Sequence, residues 1–263
     1  VYNFLDSENK ADKKSFIFLG VLIGLIGLSK QWGFLLFPSY FFLYFYLKNK
    51  EIRKSYLKFM LLAFLIGFIV CGWFYIGLFL DYGSFTAFNK EPTPFRLDNQ
   101  PLTFYFSFEL NDLLFRNPIR PNFDNQFFPI LYSDLWGDYW GYFSFTSRFL
   151  DIGRNQESIG NYLSNVTSLS IITTILILIY YVKTLRMNKK SFLIQYINYA
   201  VLFSFFGFLI FAISYPVSTG DTIKSTYIIQ MFHLIVFTAS IELEKLKFYD
   251  LKKYNFLLTI LFG

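Results

Sequence analysis

Residues 59–80 read FMLLAFLIGFIVCGWFYIGLFL, 22 positions without one charged side chain. At roughly 1.5 Å of rise per helical residue such a run crosses a hydrocarbon core of about 30 Å. Uncharged runs at 191–220 and 225–241 are also long enough. Hydrophobic residues make up 54% of the 263 and aromatic residues 23%, more than a soluble domain can hide, so lipid must cover part of the surface. The expected fold is an all-α membrane protein: a polytopic transmembrane helix bundle with a large external loop segment of short helices.

Charge orients it. The net charge is +6, but the basic residues sit in short loops between apolar runs rather than in a nucleic-acid-binding patch, so no nucleic-acid partner is expected. Lys10, Lys13 and Lys14 precede the first run. Lys48, Lys50, Arg53, Lys54 and Lys58 fill one loop, Lys183, Arg186, Lys189 and Lys190 a second, and Lys245, Lys247, Lys252 and Lys253 a third. Sixteen of the 24 basic residues thereby mark the cytoplasmic side.

The implied topology has helices at about 15–29, 31–47 and 59–80, an external segment at 81–165, and returning helices at about 166–182, 193–213 and 226–241, with an incomplete span from 254. The run 15–29 is short for a crossing and reads as tilted or partly re-entrant. The chain starts at Val1 without an initiator Met and stops ten residues into the run that begins at Tyr254, so it is expected to be an internal fragment. No signal-peptide pattern opens it. The only cysteine, Cys71, excludes an intrachain disulfide and reads as a small buried hydrophobe.

Within 81–165 the charge balance reverses, ten acids against six bases, and prolines at 92, 94, 101, 118, 121 and 129 forbid long helices. Its many rings, among them Phe104, Phe106, Phe108, Tyr142, Phe143 and Phe145, suit a membrane interface.

Two polar stretches could carry chemistry. In Tyr132-Ser133-Asp134-Leu135-Trp136-Gly137-Asp138-Tyr139-Trp140-Gly141, Asp134 and Asp138 stand four apart, which on a helix puts both on one face. Rings beside carboxylates suit a sugar, rings covering its apolar face and carboxylates accepting its hydroxyl hydrogens. The plainer reading is an interfacial aromatic belt with solvated acids. In Ser218-Thr219-Gly220-Asp221-Thr222-Ile223-Lys224-Ser225-Thr226-Tyr227, Gly220 relaxes the backbone near a helix start, where free amides, hydroxyls and Lys224 could hold a carrier phosphate. Alternatively, Thr219 or Asp221 caps the helix and Lys224 snorkels to headgroups. Lys30, with Gln31 and Trp32 in a tight external turn, faces the same cavity or snorkels. His233 has no partner at ligand spacing and reads as an interhelical hydrogen-bond donor. Asn165-Val166-Thr167 fits a glycosylation pattern but abuts a span. No P-loop, dinucleotide fingerprint or Ser-His-Asp arrangement is present; no cofactor is expected, and a metal requirement is left open.

These stretches, with Gly27-Leu28-Ser29-Lys30-Gln31-Trp32-Gly33-Phe34-Leu35-Leu36-Phe37-Pro38, resemble the polytopic GT-C glycosyltransferases, particularly dolichyl-phosphate-mannose protein mannosyltransferases and their relatives that transfer aminoarabinose to lipid A. The resemblance spans roughly residues 15–240. It implies an enzyme that moves a sugar from a polyprenyl-phosphate carrier to a protein or lipid hydroxyl on the external face. It puts Lys224 and Lys30 at the carrier phosphate, and Asp134, Trp136, Asp138, Tyr139 and Trp140, with Asp221, at substrate. It also implies that the general base, an acid of the first external loop, lies upstream of Val1, with Asp138 as the alternative. Partners are then membrane lipids, the lipid-linked sugar and the acceptor. A bacterial or archaeal cytoplasmic membrane fits better than an endoplasmic reticulum. The rivals are a transporter, which would place ionisable groups near the bilayer midplane, and a noncatalytic membrane scaffold.

Overall fold

The computed structural model describes residues 13–85, 92–115, 118–120, 122–141, 152–186 and 191–244. The expected span from 254, the loop bases from Lys245 onward, and Tyr142, Phe143 and Phe145 lie outside these residues. The described chain is mostly helical and contains no strand. The α-helices are α1 Lys13–Ser29, α2 Phe37–Tyr46, α3 Lys50–Tyr82, α4 Leu102–Phe106, α5 Leu110–Phe115, α6 Phe127–Trp136, α7 Ile152–Leu185, α8 Phe192–Ser214 and α9 Ile229–Glu244.

Three segments are long and apolar enough to cross a membrane: α3, the Asn161–Leu185 part of α7, and α8. Only 33%, 17% and 44% of their apolar windows are buried inside the protein, so most of that hydrocarbon surface needs lipid to cover it. Leu61, Leu65, Phe68, Ile69 and Trp73 on α3 are each more than half exposed. These helices point to a membrane protein.

The structure divides into two compact units. The first comprises Val1–Glu91, Leu185–Gly207 and Gln230–Leu234. Here α1 lies along α3 on a seam of small residues, Gly20, Gly24 and Gly27 against Ala63, Gly67 and Cys71. A Cβ at Gly24 would stand 2.9 Å from the Gly67 carbonyl oxygen, so the small side chains are what let the two backbones approach. Cys71 is buried in this seam. Tyr75 donates to the Gly27 carbonyl at 2.5 Å, a bond that ties the end of α1 to α3.

The expected helix 31–47 is divided. A 3-10 stretch, Gln31–Leu36, precedes α2, because Lys30 is extended (φ −164°, ψ 137°) and Pro38 in the first turn of α2 lacks an amide to continue an α-helix. The α-helical part alone spans about 15 Å, half a hydrocarbon core. The run 59–80 is the apolar part of the longer α3, which starts at Lys50 because the Asn49 side chain accepts from the amides of Glu51 and Ile52.

The second unit comprises Pro92–Thr184, Phe208–Ile229 and Ile235–Gly263. Its helices before α7 have at most ten residues, as the prolines require: Pro101 stands at the N-cap of α4, and Pro129 falls in the first turn of α6, where a missing amide costs nothing. The segment 93–100 closes the end of α8. Gln100 Nε2 donates to Ala212 O at 2.7 Å, Asn99 Nδ2 to Ile213 O at 3.3 Å, and Thr93 N to Ser214 O at 2.8 Å. These are the carbonyls a helix end leaves without partners.

Helix α6 buries Phe127, Ile130 and Ser133. Phe127 packs on Phe104 and Phe208, with ring centroids 5.4 and 5.6 Å away. Tyr132 donates to Thr167 O at 2.8 Å, and Thr167 in turn donates to Leu113 O at 2.8 Å. The Thr167 hydroxyl of the glycosylation pattern is thus buried and occupied.

Candidate functional site

The two polar stretches meet in the second unit. Helix α6 ends at Trp136, because Gly137 adopts a conformation (φ −119°, ψ −134°) outside the helical region while its amide still closes on Ser133 O. Asp138 therefore follows the helix rather than sharing a face of it with Asp134, contrary to what the four-residue spacing implies. The bend turns the chain back, so that both acids line one cleft.

Opposite them runs the turn 215–228. Its shape depends on Gly220, whose φ of +72° is costly for any residue with a side chain. Gly220 N closes on Val217 O and Ile223 N on Gly220 O, both at 2.8 Å. A 3-10 turn, Ser225–Tyr227, follows, preceded by an extended Lys224. Neither Thr219 nor Asp221 caps a helix, since α9 begins only at Ile229.

Three bonds lock the stretches together across some ninety residues of sequence. Ser225 N donates to Asp134 Oδ2 at 2.6 Å, Ser225 Oγ to Asp134 O at 3.2 Å, and Trp140 Nε1 to Ile223 O at 2.9 Å. The Lys224 ammonium lies 5.8 Å from the centre of the Trp140 ring and 5.9 Å from that of Tyr227, at the outer reach of a cation–π contact. The cleft is lined by Asp134, Gly137, Asp138, Trp140, Lys224, Ser225 and Thr226 and has a volume of about 50 Å³. At about 10–15 Å³ per water it admits a few waters or a group of phosphate size, not a hexose.

Of the residues singled out from sequence, Asp134, Asp138, Trp140 and Lys224 come together here. Tyr139 does not present itself to a ligand: it is fully buried, its ring stacked on Phe123 at 5.7 Å and edge-on to Trp140 at 4.9 Å. Loss of solvation pushes its hydroxyl up to about 12. Trp136 is half-buried outside the lining, and Asp221 is exposed on the turn. Lys30 is exposed in the first unit. His233, expected to bond between helices, is exposed on α9. Sequence reasoning missed Ser225 as the clamp. Its only signal was a hydroxyl next to Lys224, which the adjoining Ser and Thr residues share. Among the described residues no group of three or more His, Cys, Asp or Glu side chains could hold a metal ion.

Burial raises the Asp134 carboxyl above its ordinary 3.8. The amide and hydroxyl of Ser225 pull it down, Asp138 pushes it further up, and Lys224 pulls it down. A carboxyl raised on folding binds more protons in the folded than in the unfolded chain, so stability falls as pH climbs from 3.8 through the raised value and then levels. Asp134→Asn keeps an acceptor for Ser225 and removes the charge. It should match wild type in acid and equal or exceed it at neutral pH. Asp134→Ala should instead lose about 1–3 kcal/mol, because it strands the Ser225 amide. Thermal midpoints across pH in detergent check both; a neutral-pH midpoint of Asp134→Asn well below wild type would contradict the assignment.

The chain matches no family model, no curated protein and no solved structure.

Proposed function

We propose that the chain is a polytopic membrane glycosyltransferase of the GT-C kind, with 81–165 on the external face, moving a sugar from a polyprenyl-phosphate carrier to a protein or lipid acceptor. One observation carries the reading: a lysine ammonium, two carboxylates and a tryptophan ring, drawn from two distant stretches, line a single cleft of phosphate size. A phosphate leaving group gathers negative charge as the glycosidic bond breaks, and a fixed ammonium stabilises that charge without rearrangement. The stretches 59–80, 161–182 and 193–213, which lie within the three long helices, carry no charged side chain, which favours chemistry outside the bilayer over a transport path through it.

Two carboxylates against one ammonium make the interior of the cleft acidic when both are ionised. The reading therefore seats the phosphate at the mouth beside Lys224, with Asp138 inside as an acceptor of hydroxyl protons. The same acidity, and the bonds Asp134 and Trp140 make to the turn, favour a second reading, a noncatalytic scaffold in which the cluster is only a clip.

Binding of a polyprenyl-phosphate-linked sugar to the protein in nanodiscs separates the two. Lys224→Ala should weaken binding about tenfold, equivalent to roughly 1.4 kcal/mol, with the fold unchanged. Binding that ignores this substitution, or no binding at all, leaves the scaffold.

A further inference from the structure

The second unit has another, larger cleft at the opposite end of α6. It opens where residues 99–103 and 124–126 meet the turn 216–219, and its volume is about 690 Å³. That lies within the range of small-ligand sites, roughly 300–1,000 Å³. The two clefts share no lining residue. Helix α6, ten residues and about 15 Å long, separates Gln126 before its first turn from Asp134 in its last.

The chemistry of the walls is unusual for this chain. Asn99, Gln100, Asn125 and Gln126 supply amides, Ser218 and Thr219 hydroxyls, and the only charged lining residue is Asp124. The amides are oriented by a relay. Gln100 Nε2 must face the Ala212 carbonyl at 2.7 Å, so its Oε1 accepts from Asn125 Nδ2 at 2.5 Å, and Asn125 Oδ1 is left as an acceptor. Gln126 Nε2 reaches Glu109 Oε1 at 3.4 Å, which leaves Gln126 Oε1 likewise. Neither oxygen has a hydrogen-bond donor, although both atoms are covered; Asn125 is more than nine-tenths buried and Gln126 half-buried. Buried polar atoms are rarely left this way without a reason. Both oxygens are covered as the structure stands; Gln126, held to Glu109 at 3.4 Å rather than within the tight relay, is the side chain that a ligand can turn toward itself.

We propose that this cleft binds a neutral saccharide. Amides and hydroxyls both donate and accept, which matches neighbouring sugar hydroxyls, and two acceptors already lack donors. No lining residue is basic, which disfavours a phosphate or an acidic ligand, and one carboxylate alone is a poor cation site. Pro101, Pro216 and Val217 give the apolar patches on which a pyranose face can lie. The proposal goes beyond the transferase reading and needs no phosphate.

The test uses the 263-residue chain in nanodiscs with maltose, lactose, chitobiose and mannobiose as probes, read by saturation-transfer NMR and calorimetry. At least one should bind with a Kd of about 1 mM or tighter. Gln126→Ala should weaken it about tenfold and Thr219→Ala several-fold, whereas Lys224→Ala, in the other cleft, should leave it unchanged. If Gln126→Ala fails to fold, Thr219→Ala, on an exposed turn, decides. The proposal is overturned if none of the four sugars binds, if both cleft variants bind as wild type does, if Lys224→Ala abolishes binding as well, or if tetraglycine binds more tightly than every sugar.

Discussion

Replacing Trp140 with alanine is expected to cost about 3–5 kcal/mol of stability, the usual range for emptying a buried tryptophan site. The side chain is 3% exposed, and three things depend on it. Its ring packs edge-on against Tyr139, its Nε1–H satisfies the Ile223 carbonyl, and its face lies beneath the Lys224 ammonium. Trp140→Phe separates these roles, since it keeps a ring for packing and for the cation but strands the Ile223 carbonyl, a loss of about 1–3 kcal/mol. Thermal unfolding in detergent, with ligand binding measured on the folded fraction, checks the order wild type, Phe, Ala. An alanine variant within about 1 kcal/mol of wild type would mean that the site collapses around the gap and that the ring does not hold the turn.

Gly220→Ala is expected to have an effect of comparable size by a different route, and the chain contains its own control. Gly220 and Gly83 have nearly the same left-handed backbone, φ +72° and +67°. A Cβ at Gly83, the residue that ends α3, would meet nothing within 4 Å, so Gly83→Ala should show only the conformational cost of about 1–2 kcal/mol. A Cβ at Gly220 would stand 2.6 Å from Ile130 Cδ1 and 2.9 Å from the Asp124 carbonyl oxygen. The backbone oxygen cannot turn aside as a side chain could. Overpacking adds about 1–3 kcal/mol, for a total of about 2–5 kcal/mol. Because the turn contributes a wall to each cleft, Gly220→Ala should also weaken ligand binding at both. Equal midpoint losses for the two alanine variants would show that the turn does not press against residues 124–130.

Hydrophobicity and helix breaking are local properties, and what depends on them was legible in the chain. The uncharged run 59–80 announced the long α3, the prolines after residue 90 announced short helices, and Gly220 announced a backbone turn. The pairing of Asp134 with Asp138 was legible only in outcome. A spacing of four implied a shared helix face, whereas the helix stops at Trp136 and the bend at Gly137 is what brings the two acids to one cleft. Tyr139 looked like its neighbours Trp136 and Trp140, because a sequence does not say which of these rings borders the cleft and which packs against other rings away from it.

By itself the sequence determined that the described chain is helical, that it holds helices apolar enough for a membrane, and which two stretches hold its concentrated polarity; it implied seven spans, of which the structure shows three described helices long and apolar enough to cross. Only the tertiary structure decided that Ser225 clamps Asp134 across 91 residues, that Trp140 lies beneath Lys224, and that the amides of residues 99–100 and 125–126 face one opening. The physical reason is that periodicity and turn chemistry act over a few residues, whereas these contacts close long loops. The entropy of closing them is recovered only by packing and hydrogen bonds that exist once both partners have arrived.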